Sequence, residues 1–140
     1  MSTAARARAR FAAASHAHLA TADAQGRPHL VPFTFALAGD TIYSAVDAKP
    51  KRTTRLRRLA NIAANPRVCA LVDHYEDDWA ALWWARADGT ARILDAAEPE
   101  GVTALELLAQ RHPAYRRERP AGPVLAIDVE RWSGWSAGGD

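Results

Sequence analysis

The sequence predicts a mainly β chain: a small, mostly antiparallel barrel of six strands with helices on its periphery. Three observations carry this expectation. Short runs rich in strand formers recur near Leu19, at 28–37, 41–46, 68–75 and 83–94, and again at 123–132. The first three follow one another through tight turns with no intervening helix, which disfavours a doubly wound sheet. The composition is globular, with 49% hydrophobic and 24% charged residues in 140. That length predicts one domain spanning 1–140, with 1–15 as an N-terminal helix or arm. Alanine supplies much of the apolar fraction and buries little area, so a partner subunit covering one face would add stability.

Residues 4–15 are alanine-rich and helix-prone, with Phe11 as the main anchor. A strand begins at Leu19 and ends in Asp23–Ala24–Gln25–Gly26, where Gly26 can take positive φ and lead into the strand at 28–37. Ala38–Gly39–Asp40 turns into 41–46, and these three strands predict a meander. After Pro50 the period becomes helical: Leu56, Leu59, Ile62 and Ala63 form a stripe, Thr53 or Thr54 suits the cap, and Asn65–Pro66 stops it. Arg55, Arg58 and Arg52 fall away from that stripe. The apolar opening of 68–75 predicts burial on both faces. Asp88–Gly89 marks a bulge or turn within 83–94. A helix is predicted over 99–111, with Glu98 and Glu100 at the positive end of its dipole, and 123–132 is the last strand, extended or ended by 133–136.

The net charge of +2 is small, but its arrangement is informative. Lys49, Lys51, Arg52, Arg55, Arg57, Arg58 and Arg67 lie in a stretch without an acid, followed by Asp73, Glu76, Asp77 and Asp78. Within it, Lys49–Pro50–Lys51–Arg52–Thr53–Thr54 places a basic loop at a helix start. Free N–H groups, guanidinium and hydroxyl donors there suit a bound phosphate. The glycine-rich run of a nucleotide P-loop is missing. Little basic surface lies elsewhere, so a nucleic-acid binder using the Arg55–Arg58 helix is set aside. In the strand at 28–37, His29, Val31, Phe33 and Phe35 share one side, and Pro32 suggests a sheet edge near a ligand. Phe33 and Phe35 are expected in the core.

Cys69 is the sole cysteine; in its apolar strand it reads as a small buried hydrophobe, and nothing asks for an oxidising compartment. The five histidines lack metal-site spacing, no G-x-S-x-G elbow is present, and Asp77–Asp78 reads as a solvated turn. No apolar run reaches the length of a membrane span, and the acid-free first 22 residues reflect composition more than an address, so the expected compartment is the cytoplasm. Trp79, Trp83, Trp84, Trp132 and Trp135 suit core, interface or cofactor-wall positions.

The chain resembles the small split-barrel flavin/deazaflavin oxidoreductases, related in fold to pyridoxamine-phosphate oxidase, and more narrowly the actinobacterial coenzyme F420-dependent subgroup. The likeness runs from about Ala14 to the end. It is carried by Gly26–Arg27–Pro28–His29–Leu30–Val31–Pro32, by Lys49 to Leu59, by Asn61–Ile62 with Asn65–Pro66–Arg67–Val68, and by Trp84 with Arg86–Ala87–Asp88–Gly89. Trp132–Ser133–Gly134–Trp135 adds to it. The resemblance implies a six-stranded FMN-binding split barrel, a homodimer, and two cofactor sites at the interface. It implies that Lys49, Lys51, Arg52 and Thr53, with Arg57, meet the phosphate end. The tricyclic ring would lie along Val31, Pro32, Phe33 and Thr34 and along Ser44, Ala45 and Val46, with Trp84 from the other subunit. Hydride would pass between reduced F420 and a small unsaturated acceptor. An FMN-dependent oxidoreductase, or a noncatalytic flavin- or deazaflavin-binding protein, is the alternative. His29 and Tyr43 are candidates to assist protonation, and no catalytic acid is assigned.

Overall fold

The computed structural model describes residues 1–46 and 52–139, with the backbone alone for residues 52–56. Helix α1 (Thr3–Ala13) precedes β1 (His16–Ala22), β2 (Pro28–Thr34), β3 (Ala36–Ala38) and β4 (Thr41–Ala45). Helix α2 (Arg52–Ala64) leads to β5 (Arg67–His74), a 3-10 turn (Trp79–Ala81) and β6 (Trp83–Leu94). Helices α3 (Pro99–Arg111) and α4 (Pro113–Arg117) then precede β7 (Val124–Ser136). The strands form one antiparallel sheet in the order β2-β1-β5-β6-β7-β4-β3, curled into an open half-barrel with the helices outside. The mainly β, antiparallel split-barrel expectation is met.

Two details of strand organisation differ from the sequence reading. The run at 28–37 is not one strand: it breaks at Phe35, giving seven strands among the described residues. Its halves lie at opposite ends of the strand order, so the first strands do not form a meander. The chain crosses from β2 to β3 in a single residue, and that forces the two ends of the sheet together in space. The break follows from packing. Phe35 is 1% exposed and sits between Phe11 (ring centroids 5.8 Å apart) and Phe33 (5.6 Å). Pro32, which lacks an N–H, lies on the edge strand, as its chemistry requires.

Strand β5 also departs from expectation. Val68, Ala70 and Val72 are buried, while Cys69 and Leu71 are half-exposed. One face meets the core, and the other is uncovered in the single chain. The bulge at Asp88–Gly89 is present as a register shift against β7. Gly26 has φ +83°, closing the β1–β2 turn with Asp23, whose carboxylate accepts from the Gln25 and Arg27 N–H groups. Helix α4 was not foreseen, because Pro113 directly after α3 reads as a stop.

Two apolar clusters hold these elements. One fills the half-barrel with Phe11, Leu19, Phe33, Ile42, Leu125 and Ile127. The other packs Leu105 and Leu108 of α3 against Tyr43 and Val124. Phe11 is fully buried and meets the Trp132 ring edge-on at 5.2 Å, so it anchors α1 as expected.

Candidate functional site

The crossover at Phe35 leaves a groove between β2 and β4 of about 360 Å³, lined by His16, Pro32, Phe33, Thr34, Ser44, Ala45, Val46, Arg58 and Tyr115. Its floor is set by one bond: the Ser44 hydroxyl donates to the Thr34 carbonyl at 2.9 Å. Alternation on β2 turns Phe33 inward and leaves Thr34 at the surface, where its hydroxyl lies 2.8 Å from that of Tyr115 on α4. Helix α4 is held there by His112, whose Nε2 is 2.7 Å from the Phe35 carbonyl, and by Arg116, which donates to the Ala109 and Gln110 carbonyls at the end of α3.

Arg58 enters from α2. Asn61 fixes this helix by donating from Nδ2 to the Thr21 hydroxyl of β1 at 3.1 Å, both residues being buried. The Arg58 Nε is buried and has no hydrogen-bond partner among the described residues. Burial pulls its pKa below the ordinary value, with the Tyr115 phenol pushing weakly the other way. The groove therefore combines apolar walls with a guanidinium whose Nε is unpaired among the described residues and with the hydroxyls of Thr34 and Tyr115. That arrangement suits a flat ring with a polar, electron-rich edge.

Of the sequence-predicted ring residues, the structure brings Pro32, Phe33, Thr34, Ser44, Ala45 and Val46 together here. Val31 packs against the barrel core and does not line the groove. Lys49 and Lys51 lie outside the described residues, and for Arg52 and Thr53 only the backbone at the start of α2 is described. Arg57 is exposed, and its neighbour Arg58 enters the groove instead. The sequence reading missed Arg58 by following the leucine stripe. Asn61 and Ile62, three and four residues on, are both buried, and that spacing puts Arg58 on the same helix face. Tyr115 carried no sequence signal beyond its place in a basic segment.

Trp84 is remote from the groove within the chain. It pairs with Trp135, and the Arg86 guanidinium lies 5.5 Å from its ring centroid. With Leu71, Asp73 and Tyr75, these two residues line a shallow cleft on the outer face of the sheet. His29 faces inward half-buried, and its Nδ1 is buried without a hydrogen-bond partner among the described residues. Tyr43 is taken up elsewhere. Its hydroxyl donates to Glu100 at 2.7 Å, and Glu100 receives a two-pronged contact from Arg92 at 3.0 Å. Arg92 also donates to Asp128 at 2.7 Å. Burial and the Glu100 carboxylate push the Tyr43 phenol up to about 12, so it is a poor proton donor near neutrality. Burial also raises the Cys69 thiol, which keeps it unreactive.

Among the described residues no cluster of three or more His, Cys, Asp or Glu side chains could hold a metal ion. No described helix is long and apolar enough to cross a membrane.

Comparison with solved structures shows the same fold at low identity. An FAD-binding protein from Mesorhizobium loti superposes with a TM-score of 0.74 at 19% identity, over 95% of this chain and 94% of that one. A conserved hypothetical protein from Mycobacterium tuberculosis gives 0.74 at 22% identity, over 98% and 86%. The heme storage protein HutZ from Vibrio cholerae gives 0.73 at 15%, over 97% and 95%. No curated protein matches the chain. The sequence model described as Pyridoxamine 5'-phosphate oxidase matches residues 3–136, nearly the whole length over which the half-barrel and its groove are built, and the chain belongs to that family.

Proposed function

We propose that the protein is a flavin-dependent oxidoreductase. The cofactor ring lies in the groove between β2 and β4, and its anionic tail points toward the start of α2. The observation that carries this reading is the half-buried Arg58, whose Nε has no hydrogen-bond partner among the described residues, beside the apolar side chains of Pro32, Phe33, Ala45 and Val46 in the groove. A half-buried cation with no counter-ion among the described residues is unfavourable, and a ligand with an electron-rich edge relieves that cost. An FAD-binding protein among the structural neighbours favours a flavin such as FMN over the deazaflavin F420. F420 remains the narrower reading from the sequence resemblance, since it offers the same flat tricycle and an anionic tail.

The bound cofactor supplies reversible two-electron chemistry, delivering hydride to a small unsaturated organic acceptor. The chain's own residues hold and shield it. Phe33, Ala45 and Val46 exclude water from one wall. Thr34 and Tyr115 offer hydroxyls to the ring edge, and Arg58 faces its negative end. Lys49, Lys51, Arg52 and Thr53 bind the phosphate in this reading, and the N–H groups at the start of α2 add the field of the helix. A second copy covers the outer face of β5 and β6, forming a homodimer in which Trp84 reaches the partner's groove.

Titration of the purified protein with FMN, F420 and hemin, followed by absorbance, tests this. Saturable FMN binding at one per subunit, with turnover across a panel of electron-poor alkenes and imines, is the expected result. Binding of F420 alone selects the deazaflavin enzyme. Binding of FMN without turnover on any acceptor selects the noncatalytic carrier. Uptake of hemin alone, with His16 at the groove's end as the available imidazole, overturns the flavin reading.

A further inference from the structure

We propose that Arg58 sets the redox preference of the groove: its guanidinium stabilises the negative charge that a flavin ring gains on reduction, so the site binds reduced cofactor more tightly than oxidised. This rests on the groove being a flavin site. Two observations point to Arg58. Its side chain lies among Phe33, Thr34 and Ser44 to Val46, on the walls that would flank the ring. Its Nε is buried and lacks a hydrogen-bond partner, and no carboxylate lines the groove among the described residues.

Among the described residues, the ionisable groups that share the groove with Arg58 are His16 and Tyr115. Neither is a carboxylate. The guanidinium thus meets its strongest electrostatic partner when the ring is reduced. Two electrons and one proton convert the oxidised ring to the reduced monoanion, with the charge on its pyrimidine edge. No bond to the protein forms or breaks. Charge placed against that edge is one of the few ways a protein tunes a flavin.

The test compares wild type, Arg58→Gln and Arg58→Lys, each loaded with FMN. Affinity for oxidised FMN is measured by titration, and the midpoint potential by dithionite reduction against a reference dye. The expected result is that Arg58→Gln weakens binding of reduced FMN about tenfold more than oxidised, a fall of about 30 mV for a two-electron couple. Arg58→Lys retains most of the wild-type potential. The cofactor-free Arg58→Gln protein melts at or above the wild-type temperature, because an unpaired half-buried charge has gone. Equal weakening of both redox forms makes Arg58 an anchor and overturns the proposal. An unmoved potential overturns it as well. If wild type binds neither FMN nor F420, the groove reading fails and takes this one with it. A wild type that binds, with an Arg58→Gln potential unmoved, removes this proposal alone.

Discussion

The Ser44 hydroxyl donates to the Thr34 carbonyl across 2.9 Å, joining strands that stand near opposite ends of the sheet order. Because β2 and β4 are not ladder neighbours, this side-chain bond does the work that backbone pairing does elsewhere. Ser44 is 2% exposed, so no solvent replaces the bond from its side. Ser44→Ala is expected to destabilise the protein by about 1 kcal/mol. The denaturation midpoint in urea should fall with an unchanged slope. FMN affinity should fall with it, since the same bond sets the groove's width. An unchanged midpoint would show that the sheet ends are held together by packing alone.

A second set of polar contacts fastens α3 to the sheet and makes stability depend on pH at both extremes. Hydrogen bonds from Arg92 and Tyr43 hold the Glu100 carboxyl down at about 2, against 4.5 ordinarily. A depressed carboxyl pKa stabilises the fold above the ordinary value, and that contribution is lost as pH falls from 4.5 toward 2. The Tyr43 phenol moves the other way, from 10.0 to about 12, so its contribution is complete below 10 and lost as pH rises toward 12. Glu100→Gln should flatten the acid limb of a melting-temperature profile. Tyr43→Phe should remove the alkaline loss without altering the acid limb's position by more than the lost bond to Glu100 explains. An acid limb unchanged in Glu100→Gln would place the acid sensitivity in other carboxylates.

Elements whose signal is local were legible in the sequence. Strand β6 and helix α3 fall at the predicted residues 83–94 and 99–111, because alternation around Ala85, Ala87 and Ala91 and the helical spacing of Leu105 and Leu108 each need no distant partner. The break at Phe35 was not legible. Phe35 continues the alternation of Phe33, and what bends the chain there is packing against Phe11, far away in sequence. Pro32, Phe33, Thr34, Ser44, Ala45 and Val46, which line the groove, were singled out in the sequence through the family resemblance. Arg58 was not, because its role depends on which helix face Asn61 turns toward Thr21. Lys49 and Lys51, expected from the sequence to meet a phosphate, lie outside the described residues.

Gly89 and Gly26 should respond to alanine by different amounts. Gly89 sits at the β6 bulge, where an added methyl would overlap the Asp128 carbonyl on β7. Backbone on both sides cannot yield cheaply, so Gly89→Ala should cost about 3 kcal/mol in denaturant unfolding. Gly26 takes positive φ in an open turn with nothing near the new methyl, so Gly26→Ala should cost about 1 kcal/mol through backbone strain alone. Equal losses would mean that the β6–β7 register slips to relieve the overlap.

The outer face of β5 and β6 gives the proposed dimer its sharpest test. Leu71 and Trp84 share a cleft there with Arg86 and Asp73, and Tyr75 beside them is 62% exposed. Cys69 and Leu71 look outward from a strand whose other face is core, the pattern expected when a partner supplies the missing cover. Light scattering of the wild type should give twice the chain mass. Leu71→Glu places a charge in the centre of that face, where a monomer tolerates it and a dimer does not. The variant should therefore run as a folded monomer with a wild-type circular dichroism spectrum. If Trp84 completes the partner's groove, the monomer should also bind FMN at least tenfold more weakly, although the substitution lies on the opposite face of the sheet from the core. A monomeric variant with undiminished FMN affinity would separate the two ideas: the face would remain the dimer interface, and the cofactor site would be complete within one chain.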